Sequence, residues 1–319
     1  MIVEPPMRPL RPGDGFEITV PGSIANLGPG FDTLAIAVEL YLRLKVRVEE
    51  GQNQTRFDFV DQTLNGENYI ERAYRFLARQ NSGDSPSLHV EVRSEIPMRA
   101  GLGSSAAATV AGLRMYEAFN GKLPVQALLN AASALEGHPD NAAAALLGGM
   151  AVSCGLSDGS CYAARFPWPQ SIRCIVLTPE VALATSAARE VLPNHISRHD
   201  AIFNLQRLAL LMQSLQSGDY SLFKQALADR IHQPYRQCLV PGLEQALHME
   251  HPDLLGVCLS GAGPSIVAFA EKNEEAVRDL MAETYRPLGI GFTIRILNVY
   301  EEDATGNGCF YSGVRGCCA

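Results

Sequence analysis

Alternating apolar and polar side chains predict the clearest strand of this chain. Between residues 40 and 48, leucine or valine occupies every second position, and Tyr41, Arg43, Lys45 and Arg47 lie between them. A two-residue period is typical of a strand with one buried face and one solvated face. Shorter runs predict further strands at residues 16–20, 88–92, 173–177, 254–259 and 292–298.

Helical patterns fill most of the intervals between these strands. They predict helices at residues 69–80, 104–120, 125–135, 203–215, 220–227 and 273–284. A turn at residues 120–124, which contains glycine and proline, separates two of them. Because helices and strands succeed one another in both halves, the chain is predicted to be an α+β protein with layers of sheet and helix.

The composition changes near residues 166–170, where two prolines flank Trp168, the only tryptophan. A chain of 319 residues also exceeds the usual size of one domain. We therefore expect two domains, an N-terminal domain over residues 1–167 and a C-terminal domain over residues 168–319.

Charge and hydropathy exclude several classes of function. The formal net charge of −8 argues against a nucleic-acid partner. The most apolar stretch, residues 142–152, is shorter than the about 20 residues that span a bilayer, and the N-terminus lacks the apolar run of a secretory signal. We expect a soluble, cytoplasmic protein without a membrane partner.

No C-x-x-C pair occurs, so the cysteines are expected to be reduced, with Cys317 and Cys318 exposed and open to oxidation.

A glycine-rich segment at residues 97–108, PMRAGLGSSAAA, leads directly into a predicted helix. Glycines let the backbone approach an anion closely, and the first-turn amides of a helix lack intrahelical partners. The segment lacks both the Walker and the dinucleotide spacing. Taken alone, this segment is therefore compatible with two interpretations: a loop that binds phosphate, or a turn that only caps the helix.

Two further glycine-rich segments, residues 21–32 and 259–265, decide between these interpretations. Together with residues 97–108, and in this order, they resemble the three motifs of the GHMP small-molecule kinases over nearly the whole chain. The resemblance implies a two-domain α+β fold. Its N-terminal domain would be similar to ribosomal protein S5 domain 2, and its C-terminal domain would be ferredoxin-like.

Within that family, IANLGPGFD at residues 24–32 and EGHPDN at residues 136–141 resemble the branch that phosphorylates L-homoserine. The implied activity transfers the γ-phosphoryl group of ATP to the side-chain hydroxyl of L-homoserine, in threonine biosynthesis. The expected partners are ATP, Mg²⁺ and L-homoserine, with a homodimer left open.

A mevalonate-type or sugar kinase is the alternative enzyme, although those acceptors lack an ammonium group. A non-catalytic regulator that binds a nucleotide or amino acid is the alternative outside enzymes.

The resemblance also implies a nucleotide and metal site. Magnesium would be held by Glu136 and by a hydroxyl of Ser104 or Ser105, for which we choose Ser105, because oxygen ligands suit a hard cation. The adenine would lie near Asn68. The expected ATP-binding residues are Asn68, Pro97, Arg99, Gly101, Leu102, Gly103, Ser104, Ser105 and Ala106.

An amino-acid acceptor needs carboxylates for its ammonium group and arginines for its carboxylate. By resemblance Asp32 and Asp140 would bind the ammonium, and Arg189 and Arg236 the carboxylate. The expected acceptor-binding residues are Asn26, Asp32, His138, Asp140, Thr185, Arg189, Arg236 and Gly261.

Asn141 bears on the mechanism of phosphoryl transfer. Some GHMP kinases resemble one another in having, near this position, an aspartate that could act as a base. An amide is a poor proton acceptor, and Asp140 would be occupied by the ammonium. The expected catalytic residues are Asn141, Glu136 and Ser105, acting by positioning and electrostatics without a side-chain base.

Overall fold

The computed structural model describes residues 10–52, 54–61, 63–64, 66–80 and 86–301. Cys317 and Cys318 lie outside the described residues, so their predicted exposure stays a prediction. Within the described ranges, no helix is both long and apolar enough to cross a membrane.

The described residues of the first half form six strands and four helices. These are β1 (Gly15–Ala25), β2 (Leu34–Gln52), β3 (Thr55–Phe59), α1 (Tyr69–Gln80), β4 (Pro86–Ser94), α2 (Ser104–Asn120), α3 (Val125–Glu136), α4 (Asp140–Leu147), β5 (Met150–Gly155) and β6 (Cys161–Phe166). The strands form one sheet in the order β3-β4-β2-β5-β6, and β1 pairs with β2. Only the β3–β4 pair is parallel among the described pairings.

The described residues of the second half form four strands and six α-helices. These are β7 (Arg173–Pro179), α5 (Thr185–Glu190), α6 (Arg198–Ser217), α7 (Phe223–Ala226), α8 (Gln233–Arg236), α9 (Leu243–Leu247), β8 (Leu254–Leu259), β9 (Ile266–Ala270), α10 (Glu274–Tyr285) and β10 (Phe292–Leu297). The sheet order is β10-β7-β9-β8, with every described pair antiparallel. The strand–helix–strand–strand–helix–strand succession is that of a ferredoxin-like domain, as expected. The likeness of the first half to ribosomal protein S5 domain 2 stays a prediction.

The strand predicted at residues 40–48 is confirmed, and the alternation matches its burial. The aliphatic residues of this stretch are buried, and Arg43, Lys45 and Arg47 are exposed. The strand itself is longer, because β2 continues across β1, β4 and β5. β1 also extends through residues 21–25, which the sequence predicts to be loop. Its register shifts between Pro21 and Gly22, where the proline has no amide hydrogen to donate.

The helices agree with the prediction to different degrees. α1 and α2 have the predicted bounds. α6 begins earlier and ends later than the predicted 203–215, and α7 covers only part of the predicted 220–227. α4 is not predicted, because its alanine-rich residues are buried nearly all round and show no helical period.

The main hydrophobic core extends across both halves. It joins residues of β1, β2, α2 and α4 to Trp168, Phe223 and Phe269 of the second half, and the Trp168 and Phe269 ring centroids lie 5.7 Å apart. After β10 the chain returns to the first sheet, where the Tyr300 amide donates to the Ala37 carbonyl at 2.9 Å. The domain limits at 167 and 168 stay a prediction, set within a shared core.

Candidate active site

Three glycine-rich loops meet between the two sheets. The first loop (residues 26–33) follows β1, the second (95–103) precedes α2, and the third (260–265) joins β8 to β9. The Gly261 amide donates to the Ala25 carbonyl at 3.1 Å, and the Ser265 amide donates to the Ala100 carbonyl at 3.1 Å. The three motifs, distant in sequence, therefore build one site.

Positive φ angles shape the second loop. They occur at Arg99 (54°), Gly101 (76°) and Gly103 (72°), and Gly103 precedes α2 without a side-chain cap. A β carbon on Gly101 would overlap the Ser260 carbonyl, and one on Gly103 would overlap the Ser23 hydroxyl. The two glycines are thus needed where the second loop contacts the third loop and β1, in addition to any approach to an anion.

The other predicted ATP-binding residues of this segment differ in exposure. Leu102 and Ala106 are buried, so only their backbone could contact a nucleotide. Arg99 is exposed, and its carbonyl accepts from the Leu183 amide at 3.3 Å. Pro97 and Ser104 are half-buried.

The structure brings Ser105 to Glu136. Glu136 ends α3, its side chain is 7% exposed, and its carboxylate accepts from the Ser105 hydroxyl at 2.7 Å and from the Thr109 hydroxyl at 2.6 Å. Arg72 Nη2 lies 3.7 Å from the same carboxylate. This set of buried oxygen atoms suits a hard divalent cation. Thr109 is missed by the sequence reasoning, although its spacing of four residues from Ser105 places both on one helix face.

Asn68 caps helix α1. Its side-chain oxygen accepts from the amides of Ile70 at 3.1 Å and Glu71 at 3.3 Å. It also lines an open cavity of about 650 Å³, together with Glu67, Glu71, Arg72, Arg75, Phe76, Arg79 and Leu135. Because Arg72 contacts both this cavity and Glu136, the cavity adjoins the Ser105–Glu136 pair. The adenine-binding role of Asn68 stays a prediction.

Two carboxylates and a histidine form a compact cluster beside the first loop. Potential ligand atoms of Asp32, His138 and Asp140 all lie within 4.8 Å of one another. His138 Nδ1 is 2.7 Å from Asp140 Oδ1. Burial lowers the pKa of His138, but the hydrogen bond and charge of Asp140 outweigh it, so this pKa is raised above its ordinary value.

Asn141 connects this cluster to the second loop. Its amide nitrogen Nδ2 donates to Asp140 Oδ1 at 3.2 Å, and its Oδ1 accepts from the Ser23 hydroxyl at 2.8 Å. The Ser23 amide in turn donates to the Leu102 carbonyl at 3.1 Å. Asn141 is therefore fixed between the acidic cluster and the glycine-rich start of α2.

Arg189 and Arg236, which are expected to bind the acceptor carboxylate, both bond to groups of the protein itself. Arg189 donates two hydrogen bonds to Asp32, at 2.7 and 3.0 Å, so two residues assigned to opposite ends of the acceptor are paired with each other. Arg236 is buried, and it donates to the carbonyls of Ala188 at 3.0 Å and Gly261 at 2.9 Å. Burial lowers the pKa of Arg236 to about 10. These four residues, Asp32, Asp140, Arg189 and Arg236, form the expected acceptor pocket and bring two carboxylates and two guanidinium groups together.

The remaining predicted acceptor residues surround this pocket. Asn26 is buried, and both ends of its amide are used, donating to the Gly261 carbonyl at 2.9 Å and accepting from the Asp32 amide at 3.1 Å. Thr185 is exposed at the start of α5, one turn before Arg189. Asn26 and Gly261 therefore hold the first loop against the third, and their roles in binding an acceptor stay predictions.

Sequence reasoning missed a buried group next to Arg236. His232 and Asp229 are both inaccessible to solvent through their side chains, and His232 Nδ1 lies 3.2 Å from Arg236 Nη1. The sequence Gln233-Pro234-Tyr235-Arg236 is part of the resemblance, and the histidine directly precedes it. Adjacency to that segment was the one signal that could have identified it.

The sequence matches the family model "GHMP kinases N terminal domain" over residues 68–149 and "GHMP kinases C terminal" over residues 211–286. The second and third loops lie within these matches, and the chain belongs to the GHMP kinases.

Individual relatives identify the family, within the GHMP kinases, to which the chain belongs. A homoserine kinase of Solibacter usitatus is 41% identical over 275 residues, covering 85% of this chain and 90% of the relative. One of Prochlorococcus marinus is 37% identical over 300 residues, covering 91% and 95%. The crystal structure of homoserine kinase from Cytophaga hutchinsonii superposes with a TM-score of 0.81 at 26% identity, covering 93% of this chain and 98% of that one. The chain belongs to the homoserine kinase family.

Proposed function

We propose that this chain transfers the γ-phosphoryl group of ATP to the side-chain hydroxyl of L-homoserine, giving O-phospho-L-homoserine for threonine biosynthesis in the cytoplasm. The observation that carries the proposal is the pairing of Asp32 with Arg189 beside Asp140 and Arg236. A pocket with balanced charges of both signs matches a zwitterion better than it matches a sugar or a simple carboxylic acid.

An acceptor amino acid can replace the internal ion pair without leaving a charge unpaired. Its ammonium would take the place of Arg189 on Asp32, next to Asp140, and its carboxylate would take the place of Asp32 on Arg189, next to Arg236. The side chains of Arg189 and Asp32 are 38% and 33% exposed, so this exchange takes place at an accessible position.

The second loop and the start of α2 would hold the nucleotide, because α2 begins without a side-chain cap and the first-turn amides of a helix suit an anion. Glu136 and Ser105 fit a magnesium ion, because their oxygens already lie within 2.7 Å of each other and the carboxylate is buried. When bound, the metal neutralises charge on the ATP phosphates. Glu136 and Ser105 would hold it at the α2 end of the site.

No side-chain base is assigned to the acceptor hydroxyl. Asn141 is already oriented by Ser23 and Asp140, so it is suited to positioning rather than to proton transfer. The Asp140 carboxylate accepts a hydrogen bond from the Asn141 backbone amide and bonds to His138. Its remaining hydrogen-bonding capacity is assigned to the ammonium group of the acceptor. Rate enhancement would then come from alignment and charge stabilisation.

A panel assay of ADP release tests the proposal, with homoserine, serine, mevalonate and galactose as acceptors. Homoserine should give by far the highest kcat/KM. Faster turnover of mevalonate or galactose would assign the chain to another type of GHMP kinase. ATP binding without turnover of any acceptor would favour a regulator.

Two variants sharpen this assay. Glu136→Gln should slow ADP release with every acceptor, because it weakens the metal site. Asp140→Asn should lower kcat/KM mainly for acceptors that carry an ammonium group. Equal losses for all acceptors in both variants would remove the support for an ammonium site at Asp140.

A further inference from the structure

His232 lies between the first loop and Arg236. The ring is fully buried, with Nε2 2.8 Å from the Gly28 carbonyl oxygen and Nδ1 3.2 Å from Arg236 Nη1. Its two nitrogens therefore contact the first loop and Arg236, which belong to different halves of the chain.

These two contacts define the tautomer of the ring. A guanidinium can only donate, so Nδ1 must accept from Arg236, and the proton then belongs to Nε2, which donates to the Gly28 carbonyl. Burial lowers the pKa of His232, which favours this neutral form. A protonated ring would direct an N–H toward the arginine.

The carboxylate of Asp229 is occupied by other donors. Its Oδ1 accepts from Asn204 Nδ2 at 2.6 Å and from the Ile231 amide at 2.9 Å, and its Oδ2 accepts from the Gln233 amide at 2.7 Å. The distance from Oδ2 to His232 Nε2 is 3.5 Å, longer than the bond to Gly28. Asp229 thus fixes the chain at the start of α8 and leaves the ring free to bridge Gly28 and Arg236.

Further contacts of the His232 ring and of Arg236 reach the residues that precede Asp32 and Arg189. Phe31 stacks on the His232 ring with centroids 5.2 Å apart, and Phe31 directly precedes Asp32. Arg236 Nε donates to the carbonyl of Ala188, which directly precedes Arg189. Displacement of the ring would therefore move Asp32 and Arg189 relative to each other.

We propose that His232 is a positioning residue of the acceptor pocket, holding Arg236 at a fixed distance from the first loop so that the ammonium and carboxylate sites match one amino-acid backbone. This inference rests on the proposed function. It assigns to His232 no contact with the acceptor and no proton transfer.

Three substitutions separate the two arms of the bridge. His232→Asn keeps an acceptor near the position of Nδ1 but cannot reach Gly28. His232→Gln keeps a donor near the position of Nε2 but loses the acceptor for Arg236. His232→Ala loses both arms. We expect His232→Ala to raise the homoserine KM by about tenfold, since it removes hydrogen bonds to a charged group and within the pocket.

The expected pattern is a partial rescue. The homoserine KM of the Asn and Gln variants should lie between those of the alanine variant and the parent, while kcat and the ATP KM stay within about twofold of the parent. Tyr285→Phe serves as the control for general loss of stability, because Tyr285 bonds to the Pro241 carbonyl away from the pocket and its removal should leave the homoserine KM unchanged. Equal homoserine KM values in all three His232 variants, or a matching rise in the ATP KM, would overturn the inference.

Nitrogen NMR of the imidazoles tests the geometry without turnover. At pH 7 the signal that disappears in His232→Gln should have the shifts of a neutral Nε2–H tautomer. An Nδ1–H tautomer or an imidazolium would overturn the inference whatever the kinetics. If the parent neither binds nor phosphorylates homoserine, the proposed function fails and the positioning role fails with it, whereas loss of the KM pattern alone leaves the kinase activity intact.

Discussion

At the scale of single residues, Asn141 tests whether a base takes part in the reaction. It accepts from Ser23 and donates to Asp140, so an aspartate in its place would keep the first bond and turn a carboxylate oxygen toward Asp140. Like charges at this separation repel each other, and phosphoryl transfer brings further negative charge. Asn141→Asp should therefore be no faster than the parent, and Asn141→Ala should keep measurable activity.

The measurement is kcat as a function of pH for the parent and both variants. The parent profile should lack a rising limb that belongs to an ionising carboxylate. A clear gain in kcat for Asn141→Asp would mean that proton removal limits the rate. The kinase assignment would survive that result, but the positioning mechanism would not.

His138 predicts a pH dependence of stability. Its pKa in the folded protein is raised, so its bond to Asp140 contributes fully below the ordinary histidine pKa of about 6.5 and is lost as the pH rises through the raised value. The free energy of unfolding of the parent, minus that of His138→Gln, should therefore fall as the pH rises above about 6.5. Because His232 is present in both proteins, its opposite pKa shift cancels.

Urea unfolding at several pH values measures this difference. Linear extrapolation gives the free energy of unfolding for each protein at each pH. A difference that grows as the pH rises would show that His138 is neutral in the folded state and would contradict the charged His138–Asp140 pair.

At the scale of elements, local signals explain which parts of the fold could be predicted. β2 shows a clear two-residue alternation, and α2 begins directly after a glycine and follows its predicted bounds. α4 could not be predicted, because an aspartate and an asparagine after a proline are typical of a turn, and the alanines that follow have no polar face.

The pairing within the site depends on contacts that no local pattern encodes. Asp32 and Arg189 are 157 residues apart, and they meet because the loop after β1 packs against α5. The residue types of the pocket could be carried over from the family resemblance. Their mutual pairing, and the bridge through His232, follow only from how the two halves pack together.

The contact between the second loop and β1 predicts the effect of adding a side chain at Gly103. Its φ of 72° is unfavourable for other residues by about 1–2 kcal/mol, and a β carbon would in addition overlap the Ser23 hydroxyl. We expect Gly103→Ala to lower the free energy of unfolding and to weaken ATP binding at least tenfold, because the loop must shift away from the start of α2.

Gly159→Ala is the matched control. Gly159 has a φ of 83° and no atom within 4 Å of the position of its β carbon, so it tests backbone strain without a clash. Isothermal titration calorimetry with ATP should show unchanged affinity for this control. Nearly unchanged ATP affinity in a folded Gly103→Ala protein would place the phosphate cradle in another loop.

At the scale of the whole molecule, the two halves share their largest core. Phe223 and Phe269 pack with centroids 5.8 Å apart, and both belong to the cluster that contains the buried residues of β1 and β2. A separate, smaller cluster lies between the second sheet and helices α9 and α10. Of the two clusters formed by the described residues, this smaller one consists of second-half residues alone.

Two-domain chains of this size often unfold in more than one step, because their domains meet over small interfaces. The shared core predicts a different behaviour here. Trp168 is buried at the junction, where its ring contacts Phe269 and its indole nitrogen donates to the Ile172 carbonyl at 3.2 Å. Residues 298–301 then connect the end of the second sheet to the first, through the pairing of Val299 with Val38. Neither half can lose its structure without exposing apolar surface of the other.

We therefore expect a single cooperative unfolding transition in urea, with the same midpoint for Trp168 fluorescence and for far-ultraviolet circular dichroism. Fluorescence reports the junction, and circular dichroism reports helices of both halves, so coincident midpoints require the halves to unfold together. Val299→Ala, which weakens the returning segment, should lower both midpoints equally. A fluorescence transition that precedes the loss of helical signal would show that the junction opens first, and the two halves would then be independent folding units despite their shared core.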